Sequence, residues 1–331
     1  MTSTFLDRFE GDMMYKERNN YRILAEEFYF NENPDMAIRL YKKALKYKGK
    51  KEDTLLILFN LGVIYNEIGD IKSSIKYYQK IIEIDPTYKD ANYQLAIIYE
   101  DLGQIKKAIL YYKRVLRLDP NHTLSMYNLA VLFDNNGKDE DSEKLYNKIL
   151  NIDPHNHYAL NNLGSIYESR KDFNKAYELI KKSIEIEDNF YLSHFNFGVV
   201  LKALGEIDNA IDHYFKSIRL KPDYEYTYLN LSAIYIEKGE INKSIEILTI
   251  GINRCNIVHD LYYNRACSYA ILNNKDKAII DIETCLDLSP NLIRWIEKDK
   301  DFDDLRNDSK FTQIINKSKN LKRKDSKNDN N

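Results

Sequence analysis

The side chains most able to do chemistry in this sequence are six histidines and three cysteines. His155 and His157 flank one asparagine, but no cysteine or carboxylate pair stands nearby at metal-ligand spacing, so we expect a solvated turn there. Cys255, Cys267 and Cys285 form no C-x-x-C pair, and their odd number indicates reduced thiols. Phosphate-loop, zinc-protease and nucleophile-elbow motifs are absent. The sequence therefore predicts no enzyme, no catalytic residues, no metal and no cofactor.

Composition argues against two further classes of function. Lys and Arg number 49 and Asp and Glu 51, and the net charge of −2 disfavours a nucleic-acid binder that works by bulk electrostatics. The longest apolar-rich run, 55–64, is far shorter than the ~18 residues of a membrane helix, so no membrane insertion is expected. Residues 1–11 lack the pattern of a secretory signal. These observations predict a soluble cytoplasmic protein.

The prolines mark an internal repeat. Five of the six are separated by 34 or 68 residues: Pro86, Pro120, Pro154, Pro222 and Pro290. Asp188 and Asn256 stand in the same slot where proline is missing. A period of 34 residues therefore runs through the chain, and a divergent first copy precedes a short spacer, 52–54. We number the copies as repeats 1 to 8, covering residues 18–51, 55–88, 89–122, 123–156, 157–190, 191–224, 225–258 and 259–292.

Within the repeat, residue size follows position. Positions 8 and 20 hold only Ala, Gly or Ser, whereas positions 11 and 24 hold mostly Tyr, with Phe, Leu or Ile in the other repeats. In repeat 2, for example, Gly62 and Ser74 are the small residues, and Tyr65 and Tyr78 are the large ones. Small residues opposite large ones allow two helices to approach closely and interdigitate. The pattern thus predicts pairs of packed helices.

Each repeat is divided into two predicted helices. Apolar residues recur at helical spacing in both halves, and no stretch alternates with the period of a strand. Gly69 and its counterparts in other repeats follow the first helix, where glycine accepts a left-handed C-cap. Pro86 and its counterparts follow the second helix and prevent its continuation.

This pattern resembles the tetratricopeptide repeat family. The run Asn162-Leu163-Gly164-Ser165-Ile166-Tyr167 is similar to the family consensus, and the resemblance covers residues 18–292. It implies an all-α fold, a right-handed superhelical solenoid of about eight helix-turn-helix units whose first helices line a concave groove. The sequence departs from the family at Arg265, where leucine is expected, and at position 27 of the later repeats. Looser packing is predicted there, at Ser183, Ser217, Gly251, Cys285 and Arg265.

The resemblance also indicates which residues face the groove. Position 6 carries a row of amides: Asn60, Gln94, Asn128, Asn162, Asn196, Asn230 and Asn264. Such a row can hydrogen-bond the backbone of an extended peptide, although asparagine at this position can equally brace neighbouring repeats. Aromatic rings at positions 5 and 2 complete the predicted peptide-binding site: Phe59, Tyr93, Tyr127, Tyr158 and Phe195.

Charge at the groove predicts the chemistry of the partner. Positions 12 and 13 are mostly acidic, including Glu67, Glu100, Asp134 and Glu237, against one Lys202. We therefore expect a protein or peptide that is neutral to basic and has apolar anchors. Family members that bind acidic chaperone C-terminal tails use a clamp of Lys, Arg and Asn, which is missing here, so such tails are not expected to bind.

The ends of the chain are predicted separately. Residues 1–17 form an N-terminal extension, and 293–316 form a C-terminal capping helical segment in which Trp295 is expected to pack. Residues 317–331 are predicted to be a disordered basic tail, whose cluster Lys322, Arg323 and Lys324 admits a nuclear location. The predicted function is a non-enzymatic protein-protein interaction adaptor or assembly scaffold. The alternatives are a regulatory subunit of a multiprotein complex and a helical-repeat RNA-binding protein.

Overall fold

The structure, a computed structural model, describes the backbone of residues 2–256 and 258–328 and the side chains of residues 15–256 and 258–319. All regular elements in this part of the chain are helices. Two short 3₁₀ helices, Pro290–Leu292 and Lys300–Leu305, flank the short helix α17. The eighteen α-helices are α1 Thr2–Phe30, α2 Pro34–Ala44, α3 Lys51–Glu67, α4 Ile71–Ile84, α5 Lys89–Asp101, α6 Ile105–Leu118, α7 Thr123–Asp134, α8 Asp139–Ile152, α9 His157–Ser169, α10 Phe173–Ile186, α11 Tyr191–Ala203, α12 Ile207–Leu220, α13 Glu225–Glu237, α14 Ile241–Arg254, α15 His259–Ile271, α16 Lys275–Leu288, α17 Ile293–Ile296 and α18 Ser309–Asn328.

The helices form two compact bodies, divided between Ile152 and Asp153. The N-terminal body contains the helix pairs of repeats 1 to 4, and the C-terminal body contains those of repeats 5 to 8 together with α17 and α18. Within each body, the two helices of a repeat pack against each other, and the second helix packs against the first helix of the next repeat. The prediction of an all-α chain of helix pairs is confirmed.

Turns between paired helices follow from local backbone chemistry. Position 15 has a positive φ in every repeat, and glycine supplies it in five of them, with φ +81 at Gly69, for example. Glu32, Lys171 and Asn273 adopt the same left-handed conformation without glycine. The next residue stands just before the second helix, and in repeat 2 this N-cap is Asp70, whose carboxylate accepts a hydrogen bond from the backbone N–H of Ser73. The turn is thus set by two adjacent positions.

Packing of small against large residues is confirmed at close range. A Cβ atom added to Gly62 would lie 2.6 Å from Tyr78, and one added to Gly198 would lie 2.8 Å from Tyr214. Position 24 is completely enclosed in all eight repeats: Tyr41, Tyr78, Tyr112, Tyr146, Ile180, Tyr214, Leu248 and Ile282 are each at most 1% exposed. Burial of such a side chain stabilises the fold by about 1.5–3 kcal/mol. The core of each body is therefore built from one repeated contact.

Repeat 8 packs differently from the prediction. Arg265 does not loosen the repeat, because its guanidinium makes two hydrogen bonds of 2.8 Å to the carboxylate of Asp281, which is 2% exposed. The same guanidinium donates to the Thr249 hydroxyl of repeat 7 at 3.0 Å. A largely buried ion pair, with Asp281 enclosed and Arg265 partly exposed, thus stands where the family usually has leucine.

The C-terminal cap covers the last helix pair. Phe302, Leu305 and Phe311 are at most 5% exposed and pack in one cluster with Ala278 and Ile282 of repeat 8. Trp295 does not take part, since it is 72% exposed, and the expectation that it packs in the cap is wrong. The space is filled instead by its neighbours Ile293 and Ile296, which point inward from the single turn of α17.

Secondary structure continues past both predicted ends of the repeat array. Helix α1 begins at Thr2, so residues 2–17 of the predicted extension and the first helix of repeat 1 form one helix. Helix α18 runs to Asn328 and so enters the segment 317–331 predicted to be disordered, whose last three residues lie outside the described residues. Its many lysines explain this difference, because lysine and arginine are good helix formers even without apolar contacts. The side chains of Lys322, Arg323 and Lys324 lie outside the described residues.

Candidate functional site

The predicted amides of the N-terminal body lie on its first helices and are half-buried. Asn60 of repeat 2 donates to the Tyr41 hydroxyl of repeat 1 at 2.9 Å, and Asn128 of repeat 4 donates to the Tyr112 hydroxyl of repeat 3 at 3.0 Å. Each bond joins position 6 to the position 24 tyrosine of the preceding repeat. These two asparagines therefore brace neighbouring repeats, and they retain part of their hydrogen-bonding capacity for other groups.

In the C-terminal body the amides form a short chain. Asn196 of repeat 6 donates to the carboxamide oxygen of Asn161 at 3.0 Å, and Asn161 donates in turn to Asn162 at the same distance. Asn230 and Asn264 instead donate to backbone carbonyls one turn earlier in their own helices. Each of these four position 6 amides, Asn162, Asn196, Asn230 and Asn264, is half-buried. Their use in ligand binding stays a prediction, and Asn196 braces neighbouring repeats through its bond to Asn161.

Gln94 is the member of the row with the freest side chain. It is half-buried on α5, and within the described residues its carboxamide has no hydrogen-bond partner. Asn60 and Asn128 each donate to the position 24 tyrosine of the preceding repeat, and among the described residues Gln94 makes no such bond to Tyr78. It thus presents donors and an acceptor that the rest of the body leaves unused.

Aromatic rings predicted for the site differ in their surroundings between the two bodies. In the N-terminal body, Phe59 and Tyr93 each pack against the position 24 tyrosine of their own repeat, with ring centroids 5.5 Å and 6.1 Å apart. Tyr127 does the same with Tyr146 at 6.0 Å. These rings are half-buried, so they lie at the boundary between the core and the exposed face of the first helices.

The C-terminal body carries a continuous aromatic strip. Tyr158 contacts Phe190 at 5.0 Å between ring centroids, Tyr191 contacts Tyr224 at 5.1 Å, and Phe195 contacts Tyr224 at 5.2 Å. Tyr226 extends the row, and Tyr158 and Tyr226 are 46% and 51% exposed. We call this set the aromatic strip; its members are Tyr158, Phe190, Tyr191, Phe195, Tyr224 and Tyr226.

Sequence reasoning identified the strip only in part. Tyr158 and Phe195 were predicted as site residues, and the structure brings them together with rings at positions 34 and 1 that were not predicted. Phe190 and Tyr224 both occupy position 34, the last residue of repeats 5 and 6. Aromatic residues on both sides of consecutive repeat junctions were the available signal.

Charges on the same face are partly neutralised. Burial raises the pKa of the Glu100 and Asp134 carboxyls in the N-terminal body, and Glu100 accepts a hydrogen bond of 2.6 Å from Tyr112. In the C-terminal body, burial raises the pKa of the Glu168 carboxyl, and Lys202 pairs with Glu237 at 2.7 Å. Burial also raises the pKa of Tyr224 to about 12, which keeps its hydroxyl neutral at physiological pH. The face is therefore mildly acidic.

One group of side chains has metal-ligating atoms close together. The thiol of Cys267 and the carboxylates of Asp299 and Asp301 lie within 4.8 Å of one another. Burial raises the pKa of the Cys267 thiol and of the Asp301 carboxyl, and Asp299 already accepts a hydrogen bond from the Tyr263 hydroxyl. These contacts join repeat 8 to the cap, which accounts for the group without an ion. His155 and His157 of the predicted turn are exposed and half-buried, respectively.

A second histidine pair lies in repeat 6, where His194 is buried and His213 is half-buried. The Nδ1 atoms of His194 and His213 are 2.9 Å apart, and His194 Nε2 lies 2.8 Å from the backbone oxygen of Asp188. If Nε2–H of His194 donates to that carbonyl, its Nδ1 accepts the proton of His213 Nδ1. Burial, aided by the adjacent His194, lowers the pKa of His213 to about 4, and burial lowers that of His194.

We expect this pair to make the stability of the chain depend on pH. The folded state binds fewer protons than the unfolded state between pH ~6.5 and about 4, so the free energy of unfolding falls as the pH falls through this range. Allowing for partial exposure, the loss attributable to the pair is on the order of 1–2 kcal/mol. Urea denaturation of the H213Q variant should show a shallower pH dependence than the parent. H155Q, which removes an exposed histidine, is the control, and equal slopes for parent and H213Q would refute the expectation.

The fold and this face define a class of protein: an array of antiparallel helix pairs that presents a surface on its first helices. Models described as tetratricopeptide repeat match residues 56–88, 90–122, 111–144, 157–190, 191–224 and 259–292. Together these matches span more than half of the chain, and one of them, 111–144, overlaps repeats 3 and 4. The chain belongs to the tetratricopeptide repeat family. Repeats of this family are in general scaffolds for protein interaction, and the fold is typically non-enzymatic.

Solved structures agree with this assignment of the fold. A tetratricopeptide repeat protein from Parabacteroides merdae is 16% identical, covers 80% of this chain and 98% of its own, and superposes with a TM-score of 0.61. Pseudomonas aeruginosa pilF is 18% identical over 66% of this chain and 96% of its own, with a TM-score of 0.53. Human IFIT1, in a dimer with m7Gppp-AAAA, is 17% identical over 92% and 88%, with a TM-score of 0.53.

No curated protein matches the sequence. At these identities the solved structures establish the fold alone. The described residues also include no helix that is both long enough and apolar enough to cross a membrane.

Proposed function

We propose that this protein is an interaction scaffold that binds an extended peptide or protein segment on the face of its first helices. The observation that carries the proposal is the aromatic strip, which leaves Tyr158 and Tyr226 about half exposed beside the amide chain of Asn161, Asn162 and Asn196. Exposed aromatic rings with polar neighbours are typical of energetically important contacts in protein interfaces. The strip supplies apolar anchor points, and the amides supply polar contacts.

Charge favours a partner segment that is neutral to basic. Glu168 and Glu237 lie on first helices of the same body as the strip, and Lys202 is paired with Glu237. An acidic segment would be repelled by these carboxylates, and Lys202 is already engaged by Glu237. A segment with arginine or lysine beside apolar residues would instead gain cation–π contacts with the tyrosines.

Loss of the exposed rings is expected to weaken peptide binding. Twelve-residue peptides selected from a displayed library against the full chain should be neutral to basic and contain apolar residues. We expect Y158S/Y226S to lower the affinity for such a peptide by at least about tenfold, because each ring acts as an anchor. W295S, which removes an exposed aromatic residue from the cap, should leave the affinity unchanged.

Fluorescence anisotropy measures these affinities, and circular dichroism verifies that the helical content is retained. Equal affinity of the parent and Y158S/Y226S would contradict the proposed site. N162A/N196A tests the amides separately: weaker binding with unchanged helical content would indicate ligand contact, and loss of stability alone would indicate bracing.

Two alternatives are distinguished by the nature of the partner. A regulatory subunit of a multiprotein complex would use the same face, but its partner would carry catalytic activity that changes on binding. RNA binding is the other alternative, because the solved structure of human IFIT1 contains m7Gppp-AAAA. Salt-sensitive retention of RNA by the full chain would favour it, whereas the net charge of −2 favours peptide. A cytoplasmic location and the absence of nucleic-acid binding stay predictions.

A further inference from the structure

An open surface pocket of about 410 Å³ lies between the second helices of repeats 2 and 3 in the N-terminal body. Ile82 and Pro86 line it from the end of α4, and Arg114, Arg117 and Leu118 line it from the last turns of α6. We call it the Arg114 pocket. Its position on the second helices separates it from the face of the first helices to which the proposed peptide site belongs.

The two arginines of the pocket have no acidic partner in the part of the chain that the structure describes. Among the described residues, neither guanidinium lies within ion-pair distance of a carboxylate. The nearest acidic residues after each helix are already engaged, since Asp85 pairs with Lys51 at 3.3 Å and Asp119 pairs with Lys89 at 2.9 Å.

Arg114 is held in place by its own helix. Its guanidinium carbon lies 4.9 Å from the centroid of the Tyr111 ring, one turn earlier in α6. This stacking leaves the edge of the guanidinium free to donate hydrogen bonds. The pocket thus combines two cationic donors with an apolar wall formed by Ile82, Pro86 and Leu118.

At the equivalent positions of the C-terminal body, a carboxylate lies against the basic side chain. Residues 102 positions later, three repeats along, are Ile184, Asp188, Lys216, Arg219 and Leu220 in the order of the pocket residues. Here Asp188 replaces proline, and its carboxylate accepts a hydrogen bond of 2.7 Å from Lys216. This bond lowers the pKa of the Asp188 carboxyl. In repeats 5 and 6 the Asp188 carboxylate therefore neutralises Lys216. In repeats 2 and 3 the residue at that position is Pro86, which has no charge to pair with Arg114.

We propose that the Arg114 pocket binds an organic anion, a carboxylate or phosphate group joined to a short apolar body. Planar guanidinium groups match the geometry of carboxylate and phosphate oxygens, and two of them at one site compensate the charge of either group. The side chains of Ile82, Pro86 and Leu118 then cover the apolar body. The volume is sufficient for one small ligand or one side chain of a partner.

Isothermal titration calorimetry of the full chain with three probes tests the proposal. Phenyl phosphate carries both charge and an apolar ring, inorganic phosphate carries charge only, and phenol carries the ring only. Phenyl phosphate should bind at least about tenfold more tightly than either of the others, because only it satisfies both the arginines and the wall. Benzoate in a further titration shows whether carboxylate serves as well as phosphate. An N-acetyl phosphotyrosine amide distinguishes a peptide-borne anion from a free one.

Three variants assign binding to this pocket. R114Q/R117Q should lower the affinity for phenyl phosphate by about tenfold or more, since both charges are lost. P86D should have a similar effect, because it places a carboxylate where Asp188 stands in the C-terminal body. R219Q, at the position equivalent to Arg117, is the matched control and should change nothing.

Circular dichroism confirms that each variant is folded before titration. The proposal is overturned if phenyl phosphate binds no better than inorganic phosphate, or if R114Q/R117Q binds it as well as the parent does. A loss in R219Q equal to that in R114Q/R117Q would likewise assign the binding to general surface charge and overturn it.

Discussion

Replacing Asp281 by Ala is expected to lower the free energy of unfolding by about 3–5 kcal/mol, since Arg265 then keeps a largely buried charge without its partner. Asp281 is 2% exposed, and the Arg265 guanidinium reaches it through two hydrogen bonds of 2.8 Å. Urea denaturation followed by circular dichroism measures the change.

The size of this effect comes from burial rather than from ion pairing as such. D276A removes a carboxylate that pairs with Lys310 at 3.1 Å on the surface of the same helix, so its expected cost is at most about 1 kcal/mol. The double variant R265L/D281L removes both charges and restores the leucine that the family has at position 7. It should recover most of the stability that D281A loses. A double variant as unstable as D281A would show that the pair is needed for the packing of repeat 8.

Tyr214 provides the second large expected effect. The ring is fully buried between helices of repeat 6, and it packs against Gly198 so closely that a Cβ there would lie 2.8 Å away. Tyr214→Ala should lower the free energy of unfolding by about 3–5 kcal/mol, because it leaves a cavity that rigid helices cannot close. The same denaturation experiment measures it.

The hydroxyl of Tyr214 contributes differently from its ring. It is buried and has no hydrogen-bond partner among the described residues. Tyr214→Phe should therefore keep or raise the stability. Tyr112→Phe should lower it by about 1–2 kcal/mol, because the Tyr112 hydroxyl accepts from Asn128 and donates to Glu100. Equal losses for the two Tyr→Phe variants would contradict this account.

Tyr112 and Tyr214 show how much of the core can be predicted from the sequence. Both occupy position 24, and the repeat pattern predicts that both rings fill the space beside a small residue at position 8. Their hydroxyls differ because the asparagine at position 6 of the following repeat has a different hydrogen-bond partner in the two cases. Asn128 donates to Tyr112, but Asn230 donates to the carbonyl of Tyr226 in its own helix. No periodicity distinguishes these two asparagines.

The ion pairs Arg265–Asp281 and Lys216–Asp188 could likewise be predicted only in part from the sequence. Arg265 was recognised in the sequence as a departure from the family, but its partner Asp281 lies 16 residues away on the second helix of the repeat. Asp188 was recognised as the residue that replaces a repeat proline, and only the structure shows that it pairs with Lys216. In both cases the sequence showed a residue that departs from the repeat pattern. The structure showed the ion pair that this residue forms.

The sequence by itself determined the 34-residue period, the two helices of each repeat and the small and large positions of the core. These properties depend on backbone preferences and on contacts that recur in every repeat, so eight copies report them consistently. The tertiary structure alone decided which amides brace neighbouring repeats, which rings form the aromatic strip and which arginines are left without acidic partners. Those outcomes depend on side chains from different helices meeting within a few ångströms, and a repeat pattern does not encode such individual distances.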